Sequence, residues 1–383
     1  MSASLLSTLS SQPSARARYI MIGGFLGAGK TTAVGALAER LSGQGLRVGL
    51  ITNDQGSELV DTAMLRSRGF ATEEIPGGCF CCRFSSLVDA AAKLTELSLP
   101  DVFIAEPVGS CTDLVATVTY PLRRMYGEEF AIAPLSVLID PIRAEGVFGL
   151  SEGKRFSEKV LYIYRKQLEE ADLIVITKSE LVSADRLQRL TARLAREYPA
   201  ARVLDVSVRE ARGLDAWFAP LMDAEQQPRA TMAVDYEIYA EGEALLGWLN
   251  ATVQLDANAP GFDSEAVLCA LAADIQQRLA GAEIAHLKMT LSPSGGLGDI
   301  AAIHLVHSDF VPELSLRLEE PVTSGQLIVN CRAEAAPELL RDAVRGAVAE
   351  LPASFPGLTA ALDHLEHFRP GKPQPTHRDA VSA

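Results

Sequence analysis

Residues 19–32 read YIMIGGFLGAGKTT, an apolar run that breaks into glycines and ends in Lys-Thr-Thr. Gly24, Gly29, Lys30 and Thr31 satisfy G-x-x-x-x-G-K-[ST], placed as the pattern requires between a strand and a helix that begins near Thr32. Glycines at 24, 27 and 29 free the loop to wrap phosphates with its N–H groups. Lys30 then neutralises β and γ oxygens, and the Thr31 hydroxyl binds Mg2+. The nucleotide-binding set at this loop is Gly24, Gly27, Ala28, Gly29, Lys30, Thr31 and Thr32.

Outward from the loop, apolar strand-like runs at 19–22, 47–52, 101–105, 134–140, 172–177 and 202–206 alternate with amphipathic helical stretches. That alternation predicts an α/β domain, a P-loop nucleotide-binding fold with a mostly parallel sheet flanked by helices, over residues 18–222. The polar stretch 223–231 reads as a linker. Beyond it, strands cluster instead of alternating, near 232–239, 284–291, 299–307, 314–318 and 326–331, with helices at 264–279 and 337–350. This predicts a smaller C-terminal α+β domain over 232–352. Residues 1–17 read as a flexible leader, and 353–383 as an extension ending in a disordered Pro-rich tail.

A net charge of −14 over 383 residues argues against nucleic acid or anionic membrane as partner. No run approaches the ~20 apolar residues of a spanning helix. The Ser-rich leader lacks a secretory apolar core, so a cytoplasmic location is the expectation, with an organelle transit peptide as the alternative. Six cysteines are too few and too clustered for a disulfide scaffold.

The remaining chemistry lies at strand ends. In DVFIAEPVGS, Glu106 follows a strand and suits Mg2+ or water positioning, and Gly109 suits a hinge that senses the terminal phosphate. Asp54, in NDQG after another strand, suits the same work as Glu106, though Asp54 and Asp61 equally fit turns. In VITKSEL, Lys178 follows a buried strand and Glu180 can accept the guanine N1 and N2 hydrogens. Ser207 either touches the base or caps a turn. Lys30, Glu106 and Asp54 form the expected catalytic set.

IPGGCFCCRF places Cys79, Cys81 and Cys82 after two glycines. In an irregular loop three thiolates can converge on one soft ion such as Zn2+, and an incomplete shell is what a transfer site needs. Water, Asp54, Glu58, Cys111 or a client's ligand could fill the fourth position. A redox pair and buried core thiols are the competing readings. His304 and His307 read as pointing to opposite faces of a strand, and His364 and His367 as sharing a face if helical.

Taken together, GGFLGAGKTT and GGCFCC, in that order, resemble the CobW-type family of metal-handling GTPases over about residues 18–218. The resemblance implies GTP hydrolysis with Mg2+, and Zn2+ or a related ion, Co2+ among them, held by Cys79, Cys81 and Cys82 for delivery to a client metalloprotein. An oligomer is compatible with it. The sequence departs from the family pattern in having NDQG for NEFG, EPVG for ETSG and TKSE for NKxD, and in lacking a His-rich stretch. Service to a cobalt or corrinoid enzyme, a P-loop small-molecule kinase, and a metal-responsive regulator that binds nucleotide without turnover remain alternatives.

Overall fold

The computed structural model describes residues 16–54, 60–152, 155–295 and 298–380. The leader through residue 15 and Glu58 therefore lie outside the described residues. β1 (Ala17–Gly24) leads through the phosphate loop into α1 (Lys30–Gly43), followed by β2 (Val48–Asn53), α2 (Val60–Ser67), β3 (Ala71–Ile75), α3 (Phe84–Ser98) and β4 (Val102–Glu106). Then come α4 (Tyr120–Tyr126), β5 (Phe130–Ile132), β6 (Ser136–Ile139), α5 (Pro141–Val147), α6 (Glu158–Glu169), β7 (Leu173–Ile176), α7 (Ala184–Glu197), β8 (Arg202–Asp205) and α8 (Leu214–Asp223). The strands pair in parallel in the order β3-β2-β4-β1-β6-β7-β8, with β5 also on β1.

Both faces of this sheet are buried, which is why its strands read as unbroken apolar runs. Tyr19, Met21, Ile51, Phe103, Val137 and Ile174 face one core, and Ile20, Ile22, Leu50, Ile104, Leu138 and Val175 face the other. β3 and β5 were not anticipated: ATEEI alternates charge into an edge strand, and FAI is three residues long. All the strands run the same way, so the loops after β1, β2, β4, β6, β7 and β8 gather on one edge, where open parallel sheets bind ligands.

The second sheet is antiparallel, in the order β12-β11-β10-β13-β9-β14. Its strands are β9 (Leu246–Ala257), β10 (Glu283–Pro293), β11 (Ala301–Leu305), β12 (Glu313–Leu316), β13 (Ser324–Glu334) and β14 (Leu358–Phe368). Helices α10 (Ser264–Arg278) and α11 (Pro337–Ser354) cover one face through a core that includes Leu268, Leu271, Met289, Val329 and Val344. The opposite face carries Trp248, Asn250, His286, Thr290, Asn330 and Arg332, polar for the most part yet buried. α2 lies against it, with Val60 and Met64 on Ile300 and Ala302, and the Val60 N–H donating to Asn330 Oδ1 at 2.9 Å.

Two expectations change here. The stretch 232–239 is not a strand. Asp235 accepts from the N–H groups of Glu237 and Ile238 and starts α9 (Tyr236–Leu245), whose Gly242 lies so close to Lys159 O that a Cβ would come within 2.4 Å. His364 and His367 sit on β14, where a spacing of three sends them to opposite faces. No described helix is long and apolar enough to cross a membrane.

Candidate functional site

The phosphate loop turns sharply at Gly24 (φ +129°), where a Cβ would stand 2.2 Å from Leu138 O. It then passes Gly27 and Gly29, both left-handed, into α1. Lys30 is buried and folds back, its Nζ donating to Gly24 O at 2.9 Å. Thr31 Oγ1 lies 2.7 Å from Asp61 Oδ1 and 3.1 Å from Glu106 Oε1, while Thr32 is exposed. The three oxygen-bearing side chains form a hard donor set of the kind Mg2+ takes. Burial and the neighbouring Asp61 charge push Glu106 up to about 7, against Lys30 and Lys288, and its Oε2 is buried without a partner among the described residues. Burial alone would raise Asp61 too, but the Lys288 ammonium and the Thr31 hydroxyl hold it below the usual carboxylate value.

Asp54 does not join this group. β2 ends with Asn53 Nδ2 donating to Ile75 O at 2.8 Å and Gly78 O at 2.6 Å, and Asp54 accepts from the fully buried Arg332 of β13 at 3.2 Å. Arg332 also stacks on Trp248, 4.1 Å from the ring centroid, so stripping its carboxylate would leave a buried charge, at a cost of about 3–5 kcal/mol. Asp61, in the first turn of α2, takes the position at Thr31 expected for Asp54. Chain spacing carried no sign of this, because the choice depends on Arg332 and Lys288 from the other domain.

On the far side of the loop, Lys178 (φ +49°) donates to Gly27 O at 2.9 Å and pairs with Asp140 Oδ2 at 3.0 Å. Asp140 also caps α5 and meets His307 Nε2 at 3.0 Å. Burial would raise its pKa, but Lys178 and His307 hold it well below the carboxylate range. Thr177 Oγ1 lies 2.8 Å from Ala28 O and so supports the loop. Glu180 follows, with Oε2 buried and unpartnered among the described residues. Ser207 is buried and its Oγ accepts from Glu210 N–H at 3.0 Å, so the hydroxyl closes a turn.

The thiols converge. After left-handed Gly77 and Gly78, the chain turns tightly, with Cys82 N–H and Arg83 N–H both donating to Cys79 O. Cys79 Sγ lies 2.7 Å from Cys81 Sγ and 3.1 Å from Cys82 Sγ, and Cys81 and Cys82 are 3.7 Å apart. These three form a metal-capable cluster, and all six cysteines are free thiols. A fourth thiol, Cys111, lies outside this cluster but near enough to Cys79 for the two to act on each other's ionisation. The neighbouring thiols of Cys111, Cys81 and Cys82 draw the Cys79 thiol well below its usual pKa, while burial and the nearby Cys79 drive Cys111 up. Tetrahedral Zn2+ with bonds of about 2.3 Å sets sulfurs about 3.8 Å apart, so two of the three spacings would have to widen.

Cys111 links the two sites, because its loop starts at Glu106. Gly109 lies against the phosphate loop, where a Cβ would come within 2.6 Å of Leu26 Cδ2, and Gln167 Nε2 donates to both Gly109 O (3.0 Å) and Cys111 O (2.8 Å). The C-terminal segment, expected to be disordered from its composition, instead crosses the thiols. Gln374 N–H donates to Cys82 Sγ at 3.2 Å and Thr376 N–H to Cys81 O at 2.8 Å, while Arg378 pairs with buried Asp113 at 2.7 Å. Specific charge and backbone pairing hold it where apolar burial would not.

Residues 18–205 match the family model described as the CobW/HypB/UreG nucleotide-binding domain. The chain is 30% identical over 190 residues to the zinc chaperone CobW of Sinorhizobium sp, covering 44% of this chain and 52% of that protein. It is 29% identical over 177 residues to the zinc chaperone YeiR of Escherichia coli K12, covering 45% and 50%, and 28% identical over 191 residues to the zinc chaperone YjiA of the same organism, covering 49% and 56%. The chain thus spans about half the length of the curated relatives it matches. It aligns with the Zn(II)-bound YjiA GTPase structure from E. coli over 87% of its length and 99% of that chain, at 14% identity and a TM-score of 0.34, a likeness too low to add to the fold. The phosphate loop, the strand-end carboxylates and the thiol loop thus occur together on residues 18–205, a nucleotide-binding domain of the CobW/HypB/UreG kind.

Proposed function

We propose that the chain is a GTP-hydrolysing metallochaperone that holds Zn2+, or a related soft ion such as Co2+, at Cys79, Cys81 and Cys82 and releases it to a client metalloprotein. The observation that carries this reading is the loop from Glu106 to Cys111: one end reaches Thr31 at the phosphate loop and the other brings a fourth thiol near Cys79. Among the fourth-ligand candidates Cys111 is favoured over Asp54, whose carboxylate is engaged by Arg332. Thr31, Asp61 and Glu106 would hold Mg2+, which supplies charge neutralisation between phosphate oxygens. Lys30 and the loop N–H groups bind and orient the phosphates. Glu180 Oε2, buried without a donor, fits the guanine N1 and N2 hydrogens, and Lys178 braces the loop below the base. The names of the zinc-chaperone relatives agree with a zinc cargo.

The test is Zn2+ and Co2+ binding by wild type and by a Cys79→Ser, Cys81→Ser, Cys82→Ser variant, with GTP and ATP turnover followed in the same samples. One tight ion per chain, lost in the variant, with GTP-preferring turnover abolished by Lys30→Ala, is the expected result. Metal binding that survives the triple substitution, or ATP used as well as GTP, would overturn the reading.

A further inference from the structure

β10 brings the second domain into the phosphate site. Leu287, Met289 and Leu291 belong to the apolar core under α10 and α11, so the period of two sends His286 and Lys288 to the opposite face, toward the first domain. The docking there is close. Arg143 of α5 donates to Ile284 O and Ala285 O at 3.3 Å, and a Cβ on Gly27 would come within 2.9 Å of Ala285 O. Lys288 Nζ lies 2.6 and 2.8 Å from the two oxygens of Asp61, the carboxylate that meets Thr31. His286 is buried, and both its ring nitrogens lack a partner among the described residues.

Lys30, folded back onto Gly24 O, and Lys288, held by Asp61, therefore flank the Thr31, Asp61 and Glu106 group beside the phosphate loop. The Lys288 ammonium is thereby held next to a loop whose N–H groups suit oxyanions. Lys288 approaches from the side of Thr31, Asp61 and Glu106, where Mg2+ and the terminal phosphoryl group belong. We propose that Lys288 is a phosphate-binding residue delivered to the P-loop by the second domain, leaving Asp61 for the terminal phosphoryl group when the Mg2+ nucleotide binds. The proposal rests on the nucleotide-binding reading above. Its consequence is that the docking of the second domain depends on whether a third phosphate is present: with it, Lys288 bridges both domains through the nucleotide, and without it the ammonium returns to Asp61.

The test uses the full chain with Mg2+, titrating fluorescent GDP and a non-hydrolysable GTP analogue into wild type, Lys288→Met, Lys288→Gln and Lys288→Arg. Gln still donates to Asp61, so it guards against loss of folding from an unpaired buried carboxylate. A charge-assisted phosphate contact is worth roughly 1.5–3 kcal/mol. Triphosphate affinity should therefore fall about 10- to 100-fold in the Gln and Met variants, while diphosphate affinity changes less than about threefold and Arg recovers most of the loss. If both nucleotides weaken by one factor, or neither does, Lys288 serves only as the partner of Asp61 and the proposal falls. If wild type binds neither nucleotide, the nucleotide reading falls and takes the proposal with it.

Discussion

Glu180 holds one oxygen buried and without a donor next to Lys178, which is tied to the phosphate loop. A hydrogen bond from a base to that carboxylate is worth about 1.5–3 kcal/mol, so Glu180→Ala should cost about 10- to 100-fold in GTP affinity and leave ATP affinity nearly unchanged. Competition binding of the two nucleotides measures this, and equal losses for both would remove Glu180 from base recognition. Much of the site at this scale was legible in the sequence, because Lys30, Thr31, Glu106, Cys79, Cys81 and Cys82 sit in short motifs whose spacing alone implies their chemistry. Asp61 was harder to read. In the sequence it fits a turn as well as a ligand, and the contacts with Thr31 and Lys288 distinguish the two.

Between the two sites, the segment after β4 is held by Glu170, at the end of α6. Its carboxylate accepts from Val115 N–H at 3.0 Å and lies 3.3 Å from Thr112 Oγ1. Burial raises Glu170 from its ordinary 4.5 to about 8, with the Asp113 charge adding to the rise and these hydrogen bonds opposing it. The folded chain thus keeps a proton that the unfolded chain gives up above about 4.5. The stability from neutral Glu170 is complete below that pH and is lost as pH rises through about 8. Glu170→Gln should match wild type near pH 5 and be the more stable protein near pH 8, by an amount on the order of a few kcal/mol at most. Thermal melts at the two pH values decide it, and a difference that does not change with pH would mean that Glu170 is ionised throughout. Apolar period and strand–helix alternation revealed most of the elements. The failures were β3, β5, β9 and β14, which were not anticipated, α9, where alternating Met232, Val234, Tyr236 and Ile238 imitate a strand until Asp235 caps a helix, and the C-terminal segment, which ion pairs and backbone bonds hold in place.

Across the molecule, the edge of the parallel sheet that carries the nucleotide loops is covered by the polar face of the antiparallel sheet. Asp54–Arg332, Asp61–Lys288 and Asp140–His307 each join a strand-end or helix carboxylate of the first domain to a cation or imidazole of the second. Residue periodicity predicted a second domain with an antiparallel sheet. It could not predict the docking, since a strand face bearing His286, Lys288 and Thr290 reads as solvent-facing until another sheet edge buries it. The same arrangement joins phosphate loop, second domain and thiol loop in one connected set of contacts. Asn53 ties the end of β2 to Gly78, and the loop after Glu106 carries Cys111 toward Cys79.

The central claim is that nucleotide state and thiol-bound metal are coupled through those contacts. Calorimetric titration of Zn2+ into the full chain loaded with GDP, and separately with a non-hydrolysable GTP analogue, tests it most directly. The account predicts Zn2+ affinities that differ by about fivefold or more between the two states, with Zn2+ shifting the relative nucleotide affinities by the same factor. Equal Zn2+ affinity in the two nucleotide states would contradict it.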